Sequence, residues 1–274
     1  MDPKKTLEEN GPILPIGITV SGNLVKSFEL RPYKTKTDRA LAIWREANGD
    51  KTVAHLIPKY LSLVISKVGD TPYELDADSN SSAAQELMFH NWNLVDVFYA
   101  YVYSRVKHLG GKVLVPYVCP VPKCGAKDRG TFNIATADVV IANSIKGLVR
   151  WVDLKRGFQL RDGKQCTSVK IQPVTWQTML AIGAGQSAVG TITYSSMQSA
   201  ICGVNKSEKP YTLSEAEVDE IEKIDLVTID RSNDQMGIGL SLDTEVPCKK
   251  CGYVISGALD WSFDDFFGES FPLD

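Results

Sequence analysis

Two cysteine pairs limit what this chain can fold into more than any other feature. Cys119-Pro-Val-Pro-Lys-Cys124 and Cys248-Lys-Lys-Cys251 each follow an apolar strand-like stretch, and each is followed at once by glycine, Gly125 and Gly252. A structural zinc collects four soft ligands at tetrahedral corners, and short loops deliver them in pairs. Glycine lets the backbone turn its N–H groups toward thiolate sulfur, while Pro120, Pro122 and Pro247 stiffen the approaches. Residues 125–247 separate the pairs, so tertiary structure must bring the two knuckles together. Cys119, Cys124, Cys248 and Cys251 are therefore the expected ligands of one structural zinc ion. Reduced buried thiols and a redox-active Cys248–Cys251 pair are the competing readings. A redox pair normally opens a helix, whereas Gly252-Tyr253-Val254-Ile255 reads as strand. Cys166 and Cys202 stand outside any pair and read as core or strand thiols.

A chain of 274 residues fits one large domain or two modest ones. A formal charge of −3 gives no bulk basic field to attract nucleic acid. The polar Met1-Asp2-Pro3-Lys4-Lys5 leads into no signal-peptide core, and no run is long enough to span a bilayer. The expectation is a soluble, cytoplasmically made protein without a membrane partner.

Periodicity supplies the elements. Ile16, Ile18 and Val20 alternate into a turn at Ser21-Gly22-Asn23, and Leu24, Phe28 and Leu30 return as a hairpin that Pro32 stops. Thr37 caps a short helix with Ala40, Leu41 and Trp44. Val53, Leu56, Ile57, Tyr60, Leu61, Val64, Ile65 and Val68 share one face of the next, with a kink or restart at Pro58. Asn93 and Asp96 have capping-box spacing and open a long, mostly buried helix to Leu109, ended by Gly110-Gly111. Val113 to Val118 then runs as a strand into Cys119.

The later sequence repeats this order. Phe158, Leu160, Val169 and Ile171 form a hairpin around Asp162-Gly163, stopped by Pro173. Trp176, Met179, Leu180 and Ile182 suggest a helix, and residues 183–210 read as small-residue packing or loop. Ser214 and Glu217 cap another helix, and an alternating stretch from Met236 to Leu242 leads to Cys248. The expected fold is α+β: two similar hairpin-plus-helix halves, 1–125 and 126–258, joined by a split zinc-ribbon-like site, followed by an aromatic-acidic tail, 259–274. Accidental recurrence of hairpin, helix and strand is the plainer alternative to a duplication.

Several stretches together resemble one family. They are the Leu14-Pro15-Ile16-Gly17 hairpin, the helix from Asn93 to Arg105, the strand into Cys119-Pro120, the segment Glu245-Val246-Pro247-Cys248-Lys249-Lys250-Cys251-Gly252, and Asp260-Trp261-Ser262-Phe263-Asp264-Asp265-Phe266-Phe267. Their pattern and order are similar to the baseplate hub and hub-assembly proteins of T-even-like tailed bacteriophages. The first knuckle has two more residues than a plain C-x2-C. The resemblance implies a structural or assembly role among other tail or baseplate hub proteins, in the virion tail baseplate or in the host cytoplasm during assembly.

The tail has two readings. Trp261, Phe263, Phe266 and Phe267 anchor a partner subunit, or they pack back on the chain's own core. No zincin, nucleophile-elbow or Walker motif is present, and His55, His90 and His108 sit beside helical apolar positions or a helix boundary. The chain is therefore expected not to be an enzyme. A nucleic-acid-binding zinc ribbon touching its target through Lys249, Lys250 and Tyr253 is the alternative, which the acidic balance disfavours.

Overall fold

The computed structural model describes residues 5–20, 22–49, 53–76, 81–178, 180, 197–198, 200–234, 237–241 and 243–258. Among the described residues, the protein is a mixed α+β chain with two main apolar cores and two small ones, one around the cysteines and one at Ile16, Ala142 and Leu148.

Strand β1 (Lys5–Thr6) leads into α1 (Leu7–Asn10) and then into the expected hairpin, β2 (Ile13–Val20) and β3 (Asn23–Leu30). Helices α2 (Thr35–Ala47) and α3 (Val53–Val64) follow, then β4 (Ile65–Val68) and β5 (Thr71–Pro72), giving a sheet of order β2-β3-β4-β5. The helical stripe expected to reach Val68 ends at Val64. Ile65 and Val68 are β-branched and pair with Leu30 and Phe28, so sheet formation overrides the helical period. Pro58 lies inside α3 and has no N–H for the carbonyl of Ala54. The indole N–H of Trp176 donates to that carbonyl at 2.7 Å.

Helix α4 (Ala83–His90) is capped by Ser82 and Gln85, and α5 (Leu94–Leu109) runs through the first core. The expected capping box at Asn93 and Asp96 works differently. Asn93 makes no side-chain cap bond. The Asp96 carboxylate instead accepts the N–H of Ile16 at 2.8 Å and of Gly17 at 3.0 Å. Gly17 has φ +94°, a conformation that turns these donors out of the β2–β3 ladder, and buried donors must find an acceptor. Burial pushes the Asp96 carboxyl up to about 6 despite these bonds.

Strands β6 (Lys112–Val118) and β7 (Lys127–Asn133) pair from Lys112↔Asn133 to Val118↔Lys127, with the first knuckle in their loop. The division expected between residues 125 and 126 falls inside this loop. Beyond it, Ile134 and Val139 still bury in the first core. Strand β8 (Asp138–Val140) pairs with β1.

The second sheet has order β11-β10-β9, from β9 (Arg150–Gln159), β10 (Gln165–Ile171) and β11 (Ile201–Val204). Helices α6 (Glu215–Asp219) and α7 (Lys223–Asp234) pack with it around Phe158, Val169, Ile171, Leu213, Val218 and Ile229. Strand β12 (Gly239–Leu240) joins β8, and β13 (Asp243–Pro247) and β14 (Val254–Ala258) form a hairpin carrying the second knuckle.

The two sheets carry the same irregularities. Pairing jumps from Ile13↔Ser27 to Ile18↔Val25 in the first, and from Asp153↔Ser168 to Phe158↔Cys166 in the second. The third strand slips between Glu29 and Leu30 in one, and between Lys170 and Ile171 in the other. Gly69 at φ +56° donates to Ser27 O at 2.8 Å, and Asn205 at φ +52° donates to Ser168 O at 2.8 Å. The bulge glycine Gly157, at φ +73°, is held as Gly17 is. Asp225 accepts the N–H of Lys155, Arg156 and Gly157 at 2.6, 3.2 and 2.8 Å.

Candidate metal centre

The site is assembled from the tips of two hairpins. The β6–β7 loop supplies Cys119 and Cys124, and the β13–β14 turn supplies Cys248 and Cys251. Both knuckles close in the same way. Cys119 N–H donates to Ala126 O at 2.9 Å, and Cys248 N–H donates to Tyr253 O at 2.8 Å. Gly125 and Gly252 follow with φ +51° and +74°, the left-handed turn that a residue with a Cβ adopts at a cost.

The four Sγ atoms all lie within 4.8 Å of one another. Cys119 Sγ stands 3.6 Å from Cys251 Sγ, and Cys124 Sγ stands 3.8 Å from Cys248 Sγ. A disulfide requires about 2.05 Å, so these are four free thiols. A tetrahedron built on metal–sulfur bonds of about 2.3 Å has edges of about 3.8 Å, which both cross-hairpin distances match. The donor set therefore fits a soft, four-coordinate metal ion.

The thiols of the cluster hold their protons unequally. The backbone N–H of Cys251, with that of Lys250 behind it, holds the Cys248 thiol down to about 6 against the opposing effect of burial. Burial pushes Cys119 up to about 12, although the N–H of Val121 favours its thiolate. Four thiolates packed this closely repel, and a cation relieves that repulsion when it displaces their protons.

Groups outside the knuckles lock the hairpins together. The Tyr117 hydroxyl accepts Lys249 N–H at 3.0 Å, and Lys249 Nζ pairs with Asp128 at 3.1 Å. Val246 buries beside Tyr117, Cys119 and Cys248. In the sequence Tyr117 and Val246 stand only within strand-like or quoted stretches, with no role at the site attached to them. Only the strand alternation that buries Tyr117 between exposed Pro116 and Val118 carries a trace of its role.

The remaining residues picked out from the sequence are spread apart. Cys166 is buried in β10 and Cys202 half-buried in β11, away from the four-sulfur cluster. Lys249, Lys250 and Tyr253 are exposed on the second knuckle. Trp261, Phe263, Phe266 and Phe267 lie outside the described residues. Among the described residues, no helix is long and apolar enough to cross a membrane. No family model, curated protein or solved structure matches this chain.

Proposed function

We propose that this chain is a structural or assembly protein of a tailed-phage baseplate hub, built from two copies of one unit and fastened by one structural zinc. It acts through protein–protein contacts. The observation that carries the reading is the four-sulfur cluster spanning two matching hairpins. Four protein ligands leave no open position for a reacting water, so such an ion staples and does not catalyse. Its binding energy is folding energy, spent on fixing two distant chain regions against each other.

The two-unit part is supported by details that recur in both sheets. The bulge glycines, the slipped third strands and the turn donors coincide. Capping boxes at Ser82 and Ser214 precede the helices that carry Asp96 and Asp225, each the third residue of its helix. The spacing from Asp96 to Cys119 equals that from Asp225 to Cys248. On this reading the units meet near Val149 rather than at residue 125, and each gives one knuckle to the ion.

Elemental analysis of freshly purified protein tests the staple, with one zinc per chain expected. Freely alkylated thiols in the folded, metal-free protein would refute it. Quantitative proteomics of purified particles against infected-cell lysate tests the hub assignment, with enrichment in particles, or in tail intermediates only, as the expected result. A nucleic-acid-binding ribbon is the second reading. It is favoured by exposed Lys127 and Arg129, which stand opposite exposed Val118 and Pro116. Strong salt-dependent binding to oligonucleotides would select it.

A further inference from the structure

A cleft of about 680 Å³ opens where the edge of the first sheet faces the chain leaving β10. One side is Gly17 to Val20 of β2, the end strand of its sheet, and the other is Gln172-Pro173 with Thr175. Two hydrogen bonds join the sides: Leu94 N–H donates to Val174 O, and Trp176 N–H donates to Trp92 O, both at 2.8 Å. They set Asn93 opposite Thr175 in an isolated bridge, and both residues line the cleft. A second chamber of about 240 Å³ shares Gln172, Pro173 and Thr175 and is lined further by Gln198, Tyr211 and Thr212.

The chemistry of both chambers is uncharged. Among the described residues, no Asp, Glu, Lys, Arg or His lines either one. Tyr73, Met88 and Trp92 supply aromatic and apolar surface, and Thr19, Asn91, Asn93 and Thr175 supply neutral polar groups. The side chains of Thr19, Asn91 and Thr175 make no hydrogen bond among the described residues. Asn93 donates its amide N–H groups to Gly17 O at 3.2 Å and to Asp96 at 3.3 Å, which leaves its Oδ1 to accept. Trp92 is 2% exposed, and its indole N–H is buried without an acceptor. Buried polar groups are nearly always paired, and this orphan belongs to a residue that walls the cleft.

Amide and hydroxyl groups that donate and accept, set beside aromatic rings, match a ligand whose own hydroxyls do both and whose carbon faces are apolar. An ionised ligand would find no counter-charge here. Strand addition by an extended peptide is disfavoured, because much of the β2 edge is already taken. Asp96 accepts the N–H of Ile16 and Gly17, Ala142 N–H donates to Pro15 O, and Asn93 donates to Gly17 O. We propose that the cleft binds a short, neutral oligosaccharide, held by Thr19, Asn91, Asn93 and Thr175 against Tyr73 and Trp92. The site adds a binding activity to the structural role and does not depend on the zinc.

An array of neutral, sialylated and uronic-acid oligosaccharides, probed with the full-length protein, tests it. Neutral members are expected to bind and charged ones to stay blank. Titration calorimetry with the strongest neutral member then measures the site. Asn91→Ala and Thr19→Val are each expected to weaken binding about three- to tenfold, the weight of one neutral hydrogen bond. Both side chains are exposed and unbonded within the described residues, so the fold stays intact. Thr131→Val, on an exposed position of β7 outside the cleft, should leave the affinity unchanged. A blank array, binding confined to charged glycans, or full affinity in both cleft variants would each overturn the assignment. So would binding of an extended peptide library, in place of sugars, that is lost in Asn91→Ala.

Discussion

Gly130 lies so close to Val246 that a Cβ on residue 130 would stand 1.8 Å from Val246 Cγ1. The contact joins β7 to β13 and sets how closely the two knuckle-bearing hairpins approach. Gly130→Ala is expected to force them apart and misalign the Cys119–Cys251 and Cys124–Cys248 edges. Overpacking of this kind costs about 1–3 kcal/mol. A chelator competition should find zinc held about tenfold less tightly, with helix content by circular dichroism unchanged.

Asp96 and Asp225 do the same work on two bulges. Each carboxylate is fully buried and accepts backbone donors that the sheet leaves unpaired. Asp96→Ala and Asp225→Ala are each expected to destabilise the fold by about 2–4 kcal/mol, because the freed N–H groups stay buried without an acceptor. Urea unfolding followed by intrinsic fluorescence measures this. Asp243→Ala, on an exposed position of β13, serves as the control and should change stability by less than about 0.5 kcal/mol.

The elements with strong local signals were legible from residues alone. The hairpins, α5 with its glycine stop, the Ser214–Glu217 cap and the two knuckles all occupy the expected stretches. Where tertiary demand overrode local pattern, the reading failed. Ile65 and Val68 fit a helical stripe, yet β3 needed a third strand. Asn93 and Asp96 have the spacing of a cap, yet the bulge at Gly17 claimed the carboxylate. The partnership of Tyr117 with Lys249 joins residues far apart in sequence, and no local pattern encodes it. The recurring order of hairpin, helices and strand is legible in the sequence, whereas the irregularities common to the two sheets are backbone events: a positive φ, a slipped register, a buried carboxylate. Such events constrain few side chains, so Gly69 and Asn205 fill the same place with different residues.

Glu217 gives the fold an acid-sensitive element. Burial opposes its ionisation, but the N–H of Ser214, the Tyr211 hydroxyl and the N–H of Arg161 outweigh burial and hold its pKa at about 2. A carboxyl whose folded pKa lies below its unfolded one stabilises the protein above the unfolded value, near 4.5, and loses that contribution as pH falls through about 2. The contribution at neutral pH is at most about 3 kcal/mol. Glu217→Gln should therefore lower stability at pH 7, and the gap between variant and parent should close between pH 4.5 and 2. Thermal unfolding across that range reads the closure.

The last prediction separates the tetrad from the other thiols. Cys251 is the exposed member of the cluster, while Cys166 is a fully buried thiol in β10 that burial pushes up to about 11. If the four clustered sulfurs bind one ion as a unit, Cys251→Ser removes a soft ligand from a closed site and weakens all of it, although the substituted side chain sits at the surface. Zinc content after dialysis should fall well below one per chain, and Cys119, Cys124 and Cys248 should become open to alkylation together. Cys166→Ser is expected to cost stability by placing a hydroxyl in an apolar core, yet to leave zinc content unchanged. Surface exposure would then predict the wrong ranking for metal loss and burial the right one for folding, because one substitution breaks coordination and the other breaks packing. If Cys251→Ser retains a full complement of zinc while Cys166→Ser loses it, the cluster is not the site.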